Sequence, residues 1–241
     1  MPKIDYIELP TGEKLDILYE DRAVFAIDKP AGWMLVPFSW QRTQRNLQAA
    51  LSSSITAKDF WARSRNLKFL RYVHRLDAGT SGVLLFAKSQ GALTTYGELF
   101  ESRKMEKRYL AVVHGVPRES QWTCLLRLAP DAKHHGRMRS DKNGKTAETR
   151  FRSLQIAKGK SLIEALPTTG RTHQIRVHLA ESGHAVLGDD LYGPQADRTS
   201  EKLGLRAVSL AFNDPFNGRR VEIHAPTSSF LRDYGFDPAK L

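Results

Sequence analysis

Cysteine is almost absent from this chain. Of 241 residues only Cys124 is a cysteine, so no internal disulfide can form and no cysteine zinc cage can be built. Long apolar runs are missing too, and none approaches the roughly 18 residues that a membrane-spanning helix needs. The opening Met-Pro-Lys-Ile-Asp-Tyr has no apolar stretch of the kind a signal peptide carries. These absences predict a reduced, soluble, cytoplasmic chain. Repeats and Pro/Gly/Ser linkers are lacking as well, which predicts one continuous domain over 15–235 behind a short N-terminal arm at 1–14. Apolar residues at 41% and charged ones at 26% exclude disorder and fibrous sequence.

Signatures of nucleotide, metal and serine chemistry also fail. Asn143-Gly144-Lys145-Thr146 ends like a phosphate-binding loop, but the first glycine of that motif falls on Arg139. Gly79-Thr80-Ser81-Gly82-Val83 resembles a nucleophile elbow and ends on valine instead of glycine, which disfavours a hydrolase built on Ser81. His173 and His178 are five apart and do not share a helix face as a metal-binding pair would. No glycine-rich dinucleotide fingerprint occurs.

What the chain does have is positive charge. Lys and Arg number 37 against 26 Asp and Glu, a net +11. The excess is uneven: 1–28 hold three basic and seven acidic residues, while 60–76 carry five basic residues and no acid. Another seven basic side chains and two histidines stand against two acids in 132–152. Such stripes suit a polyanion, and nucleic acid leads among them. A solvated surface is the plain alternative.

Periodicity and turn chemistry predict strands at Leu15–Tyr19, Ala23–Ile27, Phe69–Val73, Val83–Ala87, Tyr109–His114, Trp122–Leu128, Thr149–Ile156, Leu162–Leu166, Val208–Phe212 and Val221–His224. Helices are predicted from Asn46 to about Ser53, over Ser89–Arg103, from an N-cap at Thr172 to Gly183, and over Ser228–Tyr234. Many strands with few helices and no strict βαβ alternation predict an α+β fold with a largely antiparallel mixed sheet and flanking helices.

Two strings concentrate chemistry. His74-Arg75-Leu76-Asp77-Ala78-Gly79-Thr80-Ser81-Gly82 sets a carboxylate between a strand and a tight turn, although Asp before such a turn also suits an ordinary Asx-turn. Gly170-Arg171-Thr172-His173-Gln174-Ile175-Arg176 places two arginines at a helix start. The helix dipole disfavours cations there, so either solvent or an anion, phosphate or carboxylate, must compensate them.

These strings resemble the RluA-type RNA pseudouridine synthases. The match includes Asp28-Lys29-Pro30-Ala31-Gly32, His74–Gly82 running into Val83–Lys88, Lys107–Gly115, Gly170–Leu179, Gly188-Asp189-Asp190-Leu191-Tyr192-Gly193 and the closing Ala225-Pro226. It spans roughly 15–230 in the family's order. The resemblance implies the pseudouridine synthase fold, with its active-site cleft across the sheet; no S4 domain, present in many relatives, is expected, since 1–14 leave no room for it. It implies base flipping, cleavage of the N1–C1′ bond of a uridine, rotation of the uracil and rejoining through C5. Such an isomerisation needs no cofactor and no metal. Asp77 matches the catalytic carboxylate, which serves as nucleophile or base. Arg75 matches the arginine that enters the RNA stack, Tyr109 the tyrosine on the uracil, Ile175 an aliphatic contact on its other side, and Arg176 the basic residue paired with the carboxylate.

Structured ribosomal or transfer RNA is the partner this implies, with a monomer and no obligate protein partner as the default. A catalytically inert RNA-binding or RNA-folding module using the same basic surface is the alternative, which the intact Asp77, Tyr109 and Arg176 disfavour. Arg137, Arg139 and Lys142 are read as contacts to the RNA backbone. Ala78-Gly79 departs from the charged residues that relatives often carry. The stretch 33–70, with Pro37-Phe38-Ser39-Trp40, has no counterpart and is read as a substrate-specific element.

Overall fold

β-branched and aromatic residues recur in short runs bounded by turn residues, and the computed structural model is accordingly rich in strands. It describes residues 4–9, 11–35, 45–194 and 202–241. Pro37, Phe38, Ser39 and Trp40 lie outside the described residues. The first elements are β1 (Tyr6–Glu8), β2 (Lys14–Glu20), β3 (Val24–Lys29), α1 (Leu47–Thr56), α2 (Phe60–Arg63), β4 (Arg71–Tyr72), β5 (Ser81–Ala87) and α3 (Gln90–Glu101). They are followed by β6 (Glu106–His114), β7 (Gln121–Pro130), β8 (Met138–Ser140), β9 (Lys145–Ala157), β10 (Lys160–Pro167) and α4 (Gln174–Glu181). The last are β11 (Leu205–Asn213), β12 (Arg220–His224) and α5 (Ser228–Asp233). No helix among the described residues is long and apolar enough to cross a membrane.

The chain divides into two compact units, Met1–Met105 with Ser209–Ala225, and Glu106–Val208 with Pro226–Leu241. In the first, β1, β2, β3 and β5 pair in that order, all antiparallel, and β4 adds to β5. Asp21 closes the β2–β3 hairpin by accepting the Ala23 and Val24 amides, each at 2.7 Å. Strands β3 and β5 are apolar on both faces because both faces are covered. Val24, Ala26, Val83, Leu85 and Ala87 pack against Ala92 and Tyr96 of α3. On the opposite face Phe25 meets Trp61 of α2, with ring centroids 6.1 Å apart. Each buried Val, Leu or Phe among these contributes about 1.5–3 kcal/mol.

The second unit is built on β6, β10, β9, β7 and β8, paired antiparallel in that order. Period-two alternation along β6 sends Ala111 and Val113 to one face and Leu110 and Val112 to the other. The first face packs on Ile175 and Leu179 of α4, the second on Phe230 and Leu231 of α5.

The α+β class with antiparallel strands is the class observed, and most elements lie where the sequence predicts them. Asn46 caps α1 by accepting the Ala49 amide, and Ser89 caps α3 through Ala92. Three differences have physical reasons. β4 is two residues long instead of five: Arg71 and Tyr72 register with Ala87 and Phe86 of β5, and the chain bends at Val73 and His74 although the Val73 amide still donates to the Leu85 carbonyl at 2.9 Å. α2 and β8 are too short to show a period, and both sit in charged tracts. α4 begins at Gln174, not after a Thr172 cap. His173 takes the N-cap position in the left-handed region at φ 54° and makes no capping bond with its side chain.

Candidate active site

Two motifs far apart in sequence interlock in the first unit. The Asp77 turn is closed by the Thr80 amide, which donates to the Asp77 carbonyl at 3.1 Å. Gly32 donates its amide to the Ala78 carbonyl at 2.8 Å, and its φ of 86° is a conformation that suits glycine. Lys29 then reaches under the same turn. Its Nζ donates to the carbonyls of Pro30 at 2.9 Å, Ala78 at 3.1 Å and Thr80 at 2.8 Å. All three ammonium donors are thereby used. Upstream, His74 accepts the Leu85 amide at Nε2 (3.2 Å) and stacks on Phe100, 4.6 Å between centroids. The chain between these anchors alternates: Arg75 is exposed, Leu76 buried and Asp77 half-buried.

Lys29 is completely buried. Burial pulls its ammonium down to about 7 from the ordinary 10.5, while the negative charges of Asp77 and Asp28 hold it up. The sequence contains this lysine inside a matched string without revealing a role for it. A depressed lysine means that, between about 7 and 10.5, the unfolded chain binds more protons than the folded one. Stability contributed by this group therefore rises with pH across that window, and the cost of the buried charge is fully present below it. Lys29→Met is expected to flatten the rise. Urea unfolding at intervals from pH 7 to pH 10 checks it, and parallel curves for the two proteins would refute it.

In the second unit the helix α4 starts immediately after the left-handed His173. Arg176, only 5% exposed, lies in its first turn. Of the anions that could compensate a cation there, the structure supplies a carboxylate. Asp189, fully buried, takes Arg176 Nε at 2.8 Å and Nη2 at 2.7 Å, a two-point fork. Asp190, with its side chain 69% exposed, approaches Nη2 at 3.2 Å. Burial alone would raise the Asp189 carboxyl, but the Arg176 bonds and charge, with the Tyr192 and Leu191 amides, hold it below the ordinary range. Tyr192 flanks the guanidinium at 5.2 Å, and Arg137 lies the same distance from that ring. The Tyr192 hydroxyl accepts the Met138 amide at 2.7 Å and bonds His173 Nδ1 at 2.9 Å.

Tyr109, half-buried, and Ile175, 7% exposed, pack in one apolar cluster of this unit with Phe151, Ile163 and Ala165. The structure thus places Arg75 and Asp77 on one segment of the first unit and Tyr109, Ile175 and Arg176 within the second. Arg171 stands outside α4, its amide held by Gln174 Oε1 at 2.9 Å. His178 is wholly buried, bonded to Thr149 at 3.0 Å, and pushed down to about 4 by burial.

The charged tracts are less uniform than their composition suggests. Lys142 is exposed, Arg139 is ion-paired with Asp141, and Arg137 leans over Tyr192. In the 60–76 tract Arg65 is not at the surface. With only 2% of its side chain exposed, it pairs with Glu20 at 2.8 Å and donates to the Ile4 and Trp61 carbonyls. Gly144 ends a turn in which an added Cβ would come within 2.5 Å of the Leu128 backbone, which is why the abortive phosphate-loop string carries glycine there.

Comparison with known proteins places the chain in one family. The family model for RNA pseudouridylate synthase matches residues 23–181. An RNA pseudouridine synthase of Mycobacterium bovis is 37% identical over 227 residues, covering 91% of this chain and 71% of the relative. Ribosomal large subunit pseudouridine synthase C of Vibrio parahaemolyticus is 36% identical over 225 residues, covering 89% and 66%. Among solved structures, human RNA pseudouridylate synthase domain containing 1 superposes with a TM-score of 0.72 at 26% identity, over 89% of this chain and 84% of that one.

Proposed function

Since the chain belongs to the RNA pseudouridylate synthase family, we propose that it isomerises a uridine of large-subunit ribosomal RNA to pseudouridine, with Asp77 as the catalytic carboxylate. The observation that carries this reading is the Asp77 turn. A fully buried ammonium bonds the Pro30, Ala78 and Thr80 carbonyls, so the backbone that presents the carboxylate is held by hydrogen bonds that do not include the carboxylate itself. A surface that only binds RNA has no use for a carboxylate so supported, since it repels phosphate.

The steps balance without a co-reactant. The N1–C1′ bond breaks, the C5–C1′ bond forms, the proton on C5 leaves and N1 takes one up. A carboxylate serves as nucleophile or base at the sugar. Tyr109 and Ile175 hold the uracil from its two faces while it turns, a role suited to side chains seated on an apolar cluster. Arg176 is the basic residue of the reaction. Exposed Arg75 enters the RNA stack as the target nucleotide leaves it, offsetting an unstacking cost of a few kcal/mol. Ribosomal RNA is favoured by the names that relatives at 32–36% identity carry.

Release of tritium from RNA labelled with [5-³H]uridine tests the reading, because only the isomerisation expels the C5 hydrogen. Large-subunit ribosomal RNA is expected to release it and transfer RNA not. Release from transfer RNA alone would redirect the substrate, and release from neither would leave an RNA-binding module.

The basic loop has its own test. Charge reversal at Arg137, Arg139 and Lys142 is expected to weaken binding to all RNAs. It should also flatten the salt dependence of affinity by about 0.7–0.9 in log–log slope for each phosphate no longer neutralised. Affinity titrations at several salt concentrations measure it. A wild-type slope in the triple variant would move the RNA path to Arg42, which lies outside the described residues, to Arg45 and to the 60–76 tract.

A further inference from the structure

Asp189 is the most heavily engaged carboxylate near the proposed site residues of the second unit. Its Oδ1 accepts Arg176 Nη2 at 2.7 Å, the Leu191 amide at 3.0 Å and the Tyr192 amide at 2.9 Å, and its Oδ2 accepts Arg176 Nε at 2.8 Å. Two of these four bonds tie it to its own loop and two to the arginine. A guanidinium is planar, so holding Nε and Nη2 sets both its plane and its rotation within that plane. The Tyr192 ring, 5.2 Å from the guanidinium carbon, lies beside the same group. It is braced through its hydroxyl by Met138 and His173.

The charge balance says what this arrangement is for. A phosphate-binding arginine keeps its charge available to solvent and ligand. Arg176 is buried and already matched by a buried carboxylate whose ionised form it stabilises. Its free energy of interaction with a mobile phosphate is correspondingly small, whereas its orientation is tightly set.

We propose that Asp189 is a positioning residue that fixes the Arg176 guanidinium in the orientation the reaction requires. The proposal rests on the reading of this chain as a pseudouridine synthase in which Arg176 is the basic residue. Asp190 does not share the role. Its side chain is 69% exposed and its contact longer, so solvent screens most of what it contributes.

The test uses the full chain, RNA labelled with [5-³H]uridine, single-turnover rates and separate binding titrations. Asp189→Asn is expected to slow turnover about 100-fold, the scale of a misplaced catalytic group, with RNA affinity within about three-fold of wild type. Asp190→Asn is expected to lose no more than about two-fold. In an Arg176→Lys background Asp189→Asn should cost far less than in the parent, since lysine has no fork to orient. Should Asp189→Asn fail to fold, Asp189→Glu keeps the charge and shifts it by one methylene, and is expected to slow turnover with affinity unchanged. A wild-type rate in the folded variant, or the same fold-loss in both backgrounds, overturns the inference. Asp77→Asn distinguishes the two levels. If it is inactive while Asp189→Asn is wild type, only the positioning role fails; if it is fully active, the underlying reading fails.

Discussion

Asp77→Asn is expected to abolish turnover, by about 10⁴-fold or more, while RNA affinity stays within a few-fold. An amide is nearly isosteric with a carboxylate but is neither a nucleophile nor a base at the sugar. The supports of the turn explain why the fold should survive. Lys29, Gly32 and Thr80 all bond backbone atoms of the 77–80 segment, and those bonds do not require the carboxylate. One electrostatic consequence does follow. The Asp77 charge helps to keep the buried Lys29 ammonium protonated against its desolvation, so the amide should ease deprotonation of Lys29 and move its titration to lower pH. Single-turnover tritium release, RNA titration and pH-dependent unfolding of the same preparation measure the three effects. A wild-type single-turnover rate would remove Asp77 from the chemistry.

The parts of this protein legible in its sequence are those governed by short-range rules. Alternation reveals β6, with Leu110 and Val112 facing α5 and Ala111 and Val113 facing α4, because a strand's period is a local property. Asn46 and Ser89 announce their helices because a cap acts within three residues. His173 hides the start of α4, since a left-handed residue that makes no capping bond leaves no composition signal. Site residues follow the same division. The residues proposed here for the site, Asp77, Tyr109, Ile175 and Arg176, stand in strings that resemble a family, so the sequence alone is enough to propose them. Lys29 and Asp189 stand in those strings as well, but their work is done on partners outside their own strings, Lys29 with Ala78 and Thr80, Asp189 with Arg176. Nothing in Gly-Asp-Asp-Leu-Tyr-Gly says which aspartate is buried, and Asp189 differs from Asp190 only through the fold. The basic tracts mislead for the opposite reason. Composition counts Arg65 as surface charge, whereas Glu20 and two carbonyls hold it inside.

Arg176→Ala is expected to cost about 3–5 kcal/mol of stability, the range for stranding one member of a buried ion pair. The stranded group is Asp189, which has no exposure to water and loses two of its four hydrogen bonds. The pH dependence follows from the direction of its shift. In the wild type the Asp189 carboxyl is held below its ordinary 3.8, so its contribution is present above that pH and is lost as pH falls through the folded value. Without Arg176 the desolvation that opposes ionisation is no longer overcome by a counter-charge, and the carboxyl moves upward. Its folded form then favours the proton, so the destabilisation should be larger at pH 7 than at pH 5. Arg176→Lys restores the charge without the fork and should recover part of the stability. Removing both partners as Arg176→Met with Asp189→Leu should recover more, because two apolar groups remove the buried charges together, yet turnover should stay lost. Urea unfolding at the two pH values, set beside tritium release for each variant, separates these effects. Equal destabilisation by Arg176→Ala at pH 5 and pH 7 would show that Asp189 finds another counter-charge when the arginine is gone. A double variant no more stable than the single one would assign the loss to packing around Tyr192 instead of to charge.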